Sequence, residues 1–183
     1  MTPGNDHFRL PRVSVSTGGE RSEEVARCAV VDWAMAQVGV TSSSRAELID
    51  AWQREFGLEG LDWCGCFVGY ALRHAGGVDD IDGRVVWVPC VLADARSGEH
   101  GWRTLLDPEG ATPGDAVLYC WDESGVPGHI GLVIENSPEE GTLTAVEGNT
   151  TSGDVGDQAR GGGVYMRTRP YTAVVSCAVP RYR

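Results

Sequence analysis

Apolar residues in the first half of the chain recur every three or four positions, which is the spacing of an amphipathic helix. The pattern predicts three helices, over residues 23–38, 44–56 and 64–75. The second helix starts at a capping box formed by Ser44 and Glu47. Gly39 and the pair Gly76 and Gly77 supply the stop signals of the first and third helices.

After Pro113 and Gly114 the period changes to two, which is typical of half-buried strands. The alternation predicts five strands, over residues 115–121, 129–135, 142–147, 163–168 and 172–179. Residues 78–112 are predicted to be irregular. Because helices come first and consecutive short strands follow, the order predicts an α+β fold, with N-terminal helices packed on a C-terminal antiparallel β-sheet.

The length of 183 residues fits one domain, predicted over residues 21–183. Residues 1–20 are rich in Gly, Pro, Ser and Thr without periodicity, which predicts a flexible N-terminal arm. Hydrophobic residues make up 42% of the chain, enough to build a core. No apolar run reaches the roughly 18 residues that a bilayer span needs, so no membrane insertion is expected.

The formal net charge of −11 argues against a nucleic-acid partner held by a broad basic surface. Arg103 and Arg160 enclose a stretch with eleven acidic and no basic residues. This stretch is either a solvated acidic face or a source of negative potential that favours a cation or a protonated histidine nearby.

The six cysteines are open to three interpretations: a disulfide framework, a zinc site or a set of thiols. One catalytic thiol would leave five cysteines, which cannot all pair, so mostly reduced thiols are the simplest interpretation. Cys64 and Cys66 are separated by one residue, which is tighter than the usual spacing of zinc ligands. We therefore expect no metal.

Cys64 is the residue best placed to act as a nucleophile. It opens the third predicted helix, where free backbone N–H groups and the positive end of the helix dipole favour a thiolate. The apolar stripe of that helix points Cys64 toward the predicted sheet. A buried structural cysteine is the alternative interpretation.

A catalytic thiol needs a histidine that can exchange a proton with it, and the chain has four histidines. His7 lies in the predicted arm and His100 in a polar loop. His74 lies roughly 15 Å from Cys64 along the same helix, which is too far for a hydrogen bond. His129 opens an apolar strand beside a Pro-Gly turn, so it is either the candidate base or a surface histidine.

The hairpin of the second and third predicted strands indicates which group orients His129. A symmetric pairing places Ile130 opposite Glu147, so Glu147 and Asn149 come within reach of the His129 ring. Either side chain could accept a hydrogen bond from Nδ1–H and so fix the tautomer of the imidazole. Simple turn chemistry is the alternative role of these residues.

Four motifs in this order resemble the CHAP amidase/endopeptidase family, which belongs to the NlpC-like, papain-like cysteine hydrolases of the cell wall. The motifs are WCGCFV from Trp63, Pro-Gly-Asp at 113–115, Gly-His-Ile-Gly at 128–131 and Glu-Gly-Asn at 147–149. The similarity covers approximately residues 24–180. It implies a papain-like form of the fold and assigns residues 21–183 to a CHAP-like domain.

By this resemblance Cys64 is the nucleophile, His129 the general base and then acid, and Glu147 and Asn149 the orienting groups. The implied activity is cleavage of a peptidoglycan amide bond through a thioester, by an N-acetylmuramoyl-L-alanine amidase or a stem-peptide or cross-bridge endopeptidase. No cofactor is implied, and a monomer is expected. Four aromatic side chains are expected either to line the substrate groove or to pack in the core: Trp63, Trp102, Tyr119 and Trp121.

The chain departs from the family pattern at Trp63, where many relatives carry Asp or Gln, so the Cys64 backbone N–H is the expected oxyanion donor. Other hypotheses are an antibacterial effector with an immunity protein, a thiol amidase acting on a non-wall amide, and a non-catalytic binding module. The first twelve residues show no apolar segment of a secretory signal. The expected location is therefore the cytoplasm until phage lysis or delivery to the cell wall.

Overall fold

The computed structural model describes residues 18–122 and 124–182. In this part of the chain the α-helices are α1 (Gly18–Ala36), α2 (Ala46–Glu55), α3 (Cys64–His74) and α4 (Val88–Ser97). The strands are β1 (Trp102–Leu106), β2 (Ala116–Tyr119), β3 (His129–Ser137), β4 (Thr142–Thr150), β5 (Gly163–Pro170) and β6 (Val174–Pro180). Helices precede the sheet, which confirms the α+β prediction.

The strands form one antiparallel sheet in the order β1-β6-β2-β3-β4-β5. Strands β2 to β5 are neighbours both in sequence and in space, whereas β6 returns to pair between β1 and β2. Strands β3 and β4, which carry the Gly-His and Glu-Gly-Asn motifs, therefore lie inside the sheet with a hydrogen-bonded neighbour on either side.

The main hydrophobic core lies between the helices and one face of the sheet. Its members include side chains of α3, β3 and β4, among them Phe67, Leu72, Ile130, Leu132 and Val146. A smaller cluster covers the opposite face of the sheet, with Val117, Tyr119, Val133, Leu143, Ala145 and Cys177. Both faces of β3 are therefore packed, so a side chain at its first residue is held by rigid surroundings.

Helix α3 is buried along most of its length: eight of its eleven residues are buried. It packs closely against the 3₁₀ helix Gly83–Val86, because Gly65 has no side chain at the contact. A Cβ at Gly65 would lie 2.3 Å from the carbonyl oxygen of Val85. This close packing fixes the N-terminus of α3, where Cys64 lies.

The predicted helix boundaries need two corrections. Helix α1 begins at Gly18 rather than at residue 23. Helix α2 begins at Ala46, and no side chain caps it, so the capping box at Ser44 is wrong. The Ser44 hydroxyl instead accepts a hydrogen bond of 3.1 Å from the Thr41 backbone N–H, which closes the preceding turn. Local side-chain bonds of this kind compete with helix capping.

The prediction that residues 78–112 are irregular is wrong, because they contain the 3₁₀ helix, α4 and β1. Pro89 lies in the first turn of α4, where its missing N–H costs no hydrogen bond. The helix ends at Gly98, which has a left-handed φ of 72°. In β1 a register shift between Trp102 and Thr104 disturbs the alternation that would have marked the strand.

Of the predicted arm over residues 1–20, residues 1–17 lie outside the described residues. Residues 18–20 belong to α1. None of the described helices combines the length and the apolar character that crossing a membrane requires. The five strands predicted after Pro113 all occur, with ends that differ from the predicted ones by a few residues.

Candidate active site

Cys64 is the first residue of α3 and is 4% exposed. Its side chain lines a surface cleft of about 270 Å³ between the segments 86–89 and 124–128. The first backbone N–H groups of α3 have no acceptors within the helix. A substrate can therefore reach this thiol although most of the side chain is enclosed.

His129 is the first residue of β3 and is fully buried. Its imidazole lies between the Cys64 thiol and the Glu147 carboxylate, with Nε2 at 3.2 Å from Glu147 Oε2. Nδ1 has no hydrogen-bond partner among the described residues and is thus the nitrogen available to the thiol. Sequence analysis had assigned the orienting bond to Nδ1–H; the structure places it at Nε2 instead.

Aromatic rings hold the imidazole from the side. The ring of Tyr119, opposite His129 in the β2–β3 pairing, stacks at a centroid distance of 6.0 Å. The ring of Trp121 lies 5.3 Å from the imidazole. Both contacts restrict rotation of the His129 side chain and exclude water from it.

The register of β3 and β4 places Glu147 on the same face of the sheet as His129. The predicted pairing set Glu147 opposite Ile130, but in the structure Glu147 pairs with Gly131, after a register shift between Val133 and Glu135. This shift of one residue changes the face on which the carboxylate lies. A Cβ at Gly131 would lie 2.8 Å from Glu147 Cγ, so the absent side chain leaves room for the carboxylate.

Asn149 does not take the orienting role expected for it. Its backbone has a left-handed φ of 60°. Its side-chain amide donates to the carbonyl oxygen of Ala159 at 2.9 Å and to Asp62 Oδ1 at 3.3 Å. Asn149 therefore connects β4 to the segments that precede α3 and β5. Of the two residues expected to orient His129, Glu147 is the one that contacts it.

Arg169 on β5 is a site residue that the sequence analysis missed. Its Nε donates to Glu147 Oε1 at 2.8 Å and its Nη2 to Glu147 Oε2 at 2.7 Å, in a buried bidentate pair. Arg167 lies on the predicted strand 163–168 and Arg169 just past its end, and both lie on the face that β5 shares with Glu147 in the β4–β5 pairing. A buried carboxylate requires such a partner.

The electrostatics of the site favour a buried imidazolium. Burial alone lowers the pKa of His129, but interactions with the Cys64 sulfur and then with the Glu147 carboxylate outweigh it and raise the pKa to about 9. Burial would raise the pKa of Glu147, but hydrogen bonds and positive charge from Arg169 and His129 hold it below the usual value. At neutral pH His129 is therefore protonated and Glu147 ionised.

The neighbouring cysteine behaves differently. Burial, and then the negative charge on Cys64, raise the pKa of the Cys66 thiol to about 12. Cys66 is fully buried in the main core, so its thiol stays protonated and out of contact with solvent. None of the six cysteines, all of which lie in the described part of the chain, forms a disulfide.

The four aromatic residues expected in the groove differ in position. Trp63 and Trp102 are buried in the main core at 4% and 1% exposure, and Tyr119 is buried beside His129. Trp121 alone of the four is exposed, at 43%. The sequence analysis missed Trp87, which lines the cleft beside Cys64 and is 65% exposed.

A second cavity, of about 580 Å³, lies on the other side of Asp62. Asp62 lines both cavities, and Arg160 binds its carboxylate at 3.0 Å. The second cavity is lined by polar and charged groups such as Gln53 and Asp50, whereas the wall at 86–89 is apolar. The two cavities thus differ in the chemistry of their walls and share Asp62.

Residues 18–122 and 124–182 contain no group of three or more His, Cys, Asp or Glu side chains arranged to hold a metal ion. The described site offers a thiol, an imidazole and an ion pair. These groups suit nucleophilic attack on a carbonyl carbon followed by proton transfer.

No protein-family model matches the chain, and no curated protein sequence matches it either. A solved structure with a similar fold is the crystal structure of the wild-type endolysin LysIME-EF1, with a TM-score of 0.54 and 13% sequence identity. The match covers 86% of this chain and 65% of the endolysin chain, so it spans just under two thirds of the endolysin. The likeness shows a shared fold.

Proposed function

We propose that the chain is a peptidoglycan hydrolase that cleaves an amide bond with Cys64 as nucleophile, His129 as general base and acid, and Glu147 as the orienting carboxylate. The observation that carries the proposal is the line of thiol, buried imidazole and buried carboxylate that ends in an open cleft. The fold shared with an endolysin supports cell-wall peptidoglycan as the substrate. An endolysin-like role would bring the protein from the cytoplasm to the wall at phage lysis.

In the proposed first step the Cys64 sulfur attacks the carbonyl carbon of the amide and forms a tetrahedral intermediate. The negative charge that develops on the carbonyl oxygen is stabilised by the Cys64 backbone N–H at the start of α3. His129 then donates the proton on Nδ1 to the amide nitrogen. The C–N bond breaks, the amine leaves and a thioester remains on Cys64.

In the second step a water molecule replaces the amine beside His129. The neutral imidazole takes a proton from the water through Nδ1 as the oxygen attacks the thioester carbon. The C–S bond breaks, the carboxylic acid leaves, and the sulfur and the imidazolium are restored. Throughout the cycle Glu147 accepts the hydrogen bond from Nε2–H, which keeps the other nitrogen directed at the reacting atoms.

The nucleophile is tested by Cys64→Ser, with Cys66→Ala as the matched control two residues away. We expect Cys64→Ser to lower the rate of turbidity loss of purified walls by about three orders of magnitude or more. The control should keep activity, because Cys66 is a protonated core thiol. Thermal unfolding of both variants near the wild-type temperature shows that the fold is intact. Full activity of folded Cys64→Ser would remove the assignment.

The scissile bond is tested with defined peptidoglycan fragments and mass spectrometry. An amidase releases the intact stem peptide with a free L-alanine amine and leaves the lactyl carboxylate on the sugar. An endopeptidase instead yields two products that divide the peptide or its cross-bridge. If neither set appears while a non-wall amide is hydrolysed, peptidoglycan is not the substrate.

A further inference from the structure

Arg169 holds both oxygens of the carboxylate that contacts His129. The two guanidinium bonds to Glu147 measure 2.8 Å and 2.7 Å, and the Nη2 bond ends on Oε2, the same oxygen that lies 3.2 Å from His129 Nε2. Two hydrogen bonds from one guanidinium to both oxygens of a carboxylate restrict its rotation about the terminal C–C bond. The position of the oxygen that meets the imidazole is thus set by Arg169.

Other residues fix the guanidinium itself. Its Nη2 also donates to Gln158 Oε1 at 3.1 Å, and Gln158 is held by bonds from its own amide to Thr151 Oγ1 and to nearby carbonyl oxygens. The planar cation lies 5.0 Å from the ring centroid of Trp121 and 5.6 Å from that of Tyr119. These are the same two rings that flank His129, so one aromatic pair orders both cations of the site.

Arg169 belongs to the charged groups around His129, because it pairs with Glu147. The groups that face the imidazole are Cys64 from α3, Glu147 from β4 and the uncharged Tyr119 from β2. Arg169 from β5 acts through Glu147, and it also interacts electrostatically with Asp154. Burial raises the pKa of Tyr119 well above its usual value, so that ring contributes no charge. The Glu147 carboxylate therefore contacts two cations, His129 and Arg169. Its contact with each one restricts its movement toward the other.

We propose that Arg169 is a positioning residue of this site: it holds Glu147 in the one orientation that directs the His129 imidazole at Cys64. The proposal rests on the proposed cysteine hydrolase function. Arg169 contacts neither the thiol nor the cleft among the described residues, so its effect must pass through Glu147.

The first test is a double-mutant cycle of Arg169→Gln and Glu147→Gln on the rate constant for amide hydrolysis. Each single change should lower kcat on the order of tenfold to a hundredfold, as the loss of outer partners of functional histidines does elsewhere. The double variant should be no slower than Glu147→Gln, because Arg169 has nothing left to position. Arg169→Lys, which keeps the charge but loses the two-point grip, should fall between wild type and Arg169→Gln.

The second test follows the titration of the His129 imidazole by nitrogen NMR, which needs no turnover. Arg169→Gln removes a positive charge near the imidazolium and should shift the titration to higher pH, whereas Glu147→Gln should shift it to lower pH. Arg169→Lys keeps the charge, so a titration shift that it shares with Arg169→Gln reports the loss of the two-point contact rather than the loss of charge alone. Arg169→Gln leaves a buried carboxylate with one partner fewer and could fail to fold for that reason. In that case the double variant, which removes both charges, is used for the titration instead.

The outcomes separate the two proposals. Multiplicative losses of kcat in the double variant, or an unchanged His129 titration in folded Arg169→Gln, would overturn the positioning role. If the wild-type protein hydrolyses no peptidoglycan amide, the proposed function fails, while the NMR measurement still decides whether Arg169 controls the imidazole through Glu147.

Discussion

His129 is a buried cation whose charge depends on its neighbours rather than on solvent. Its Nε2 lies at 3.2 Å from the Glu147 carboxylate, whereas Nδ1 has no hydrogen-bond partner among the described residues and is the nitrogen left for the Cys64 thiol. His129, Glu147 and Arg169, from three neighbouring strands, form a series of alternating charges. At this scale the site is an ion network in which each member keeps its charge because the next one is present.

The pH dependence of activity follows from this network. The pKa of His129 is about 9, against a usual value of 6.5, so the imidazolium that we propose as the donor to the leaving amine persists well into the alkaline range. We expect kcat/KM to stay high above neutral pH and to fall as the pH rises through about 9. The measurement is a pH profile with a soluble peptidoglycan fragment, and a fall centred near the usual histidine value would contradict the network.

Stability should follow the same group with a defined sign. In the unfolded chain His129 loses its proton near 6.5, whereas the folded protein holds it to about 9. The interactions with the imidazolium therefore stabilise the fold fully below pH 6.5 and lose this contribution between 6.5 and about 9. Thermal unfolding of wild type and His129→Gln over this range checks the sign, since the difference between them should shrink as the pH rises.

At the scale of elements, the site depends on the pairing register of β3 and β4, which cannot be predicted from the strand pattern alone. Alternating apolar residues predicted β3 and β4 correctly, and the position of His129 at the start of β3 was correct. The pairing was off by one residue, because the irregularity between Val133 and Glu135 has no mark in the sequence. Helix α4 was missed because Pro89 suggests a break when read alone, although it suits a first turn.

Gly131→Ala tests the register as the device that places Glu147. The new Cβ would lie 2.8 Å from Glu147 Cγ and 3.2 Å from the Val146 carbonyl oxygen. We expect a tenfold or larger loss of kcat with a loss of about 1–3 kcal/mol in unfolding free energy, the usual range for overpacking. Gly153→Ala is the control, since its Cβ would meet no atom within 4 Å. Equal activity in both variants would contradict the role of Gly131.

At the scale of the whole molecule, residues far apart in sequence form the groove around Cys64. Segments 86–89 and 124–128 line one cavity, and the turn before α3, α2 and the segment before β5 line the other. The sequence predicts Cys64, His129 and Glu147 as site residues because each opens or lies within a patterned element. It does not single out Arg169 and Trp87, because Arg169 lies just past the end of the predicted strand 163–168 and Trp87 lies in a stretch predicted to be irregular.

Trp87 tests whether the groove binds the substrate. The indole is 65% exposed and lines the same cleft as Cys64, so a ligand bound in the cleft can contact it. Trp87→Ala should raise KM about tenfold, or on the order of 1–2 kcal/mol, and leave kcat within about twofold, because the side chain acts in binding alone. Met166→Ala is the control: Met166 is 52% exposed on β5 and lines neither cavity. Equal KM values for the two variants would place the substrate outside this cleft, and a loss of kcat alone would mean that Trp87 acts on the chemical step instead.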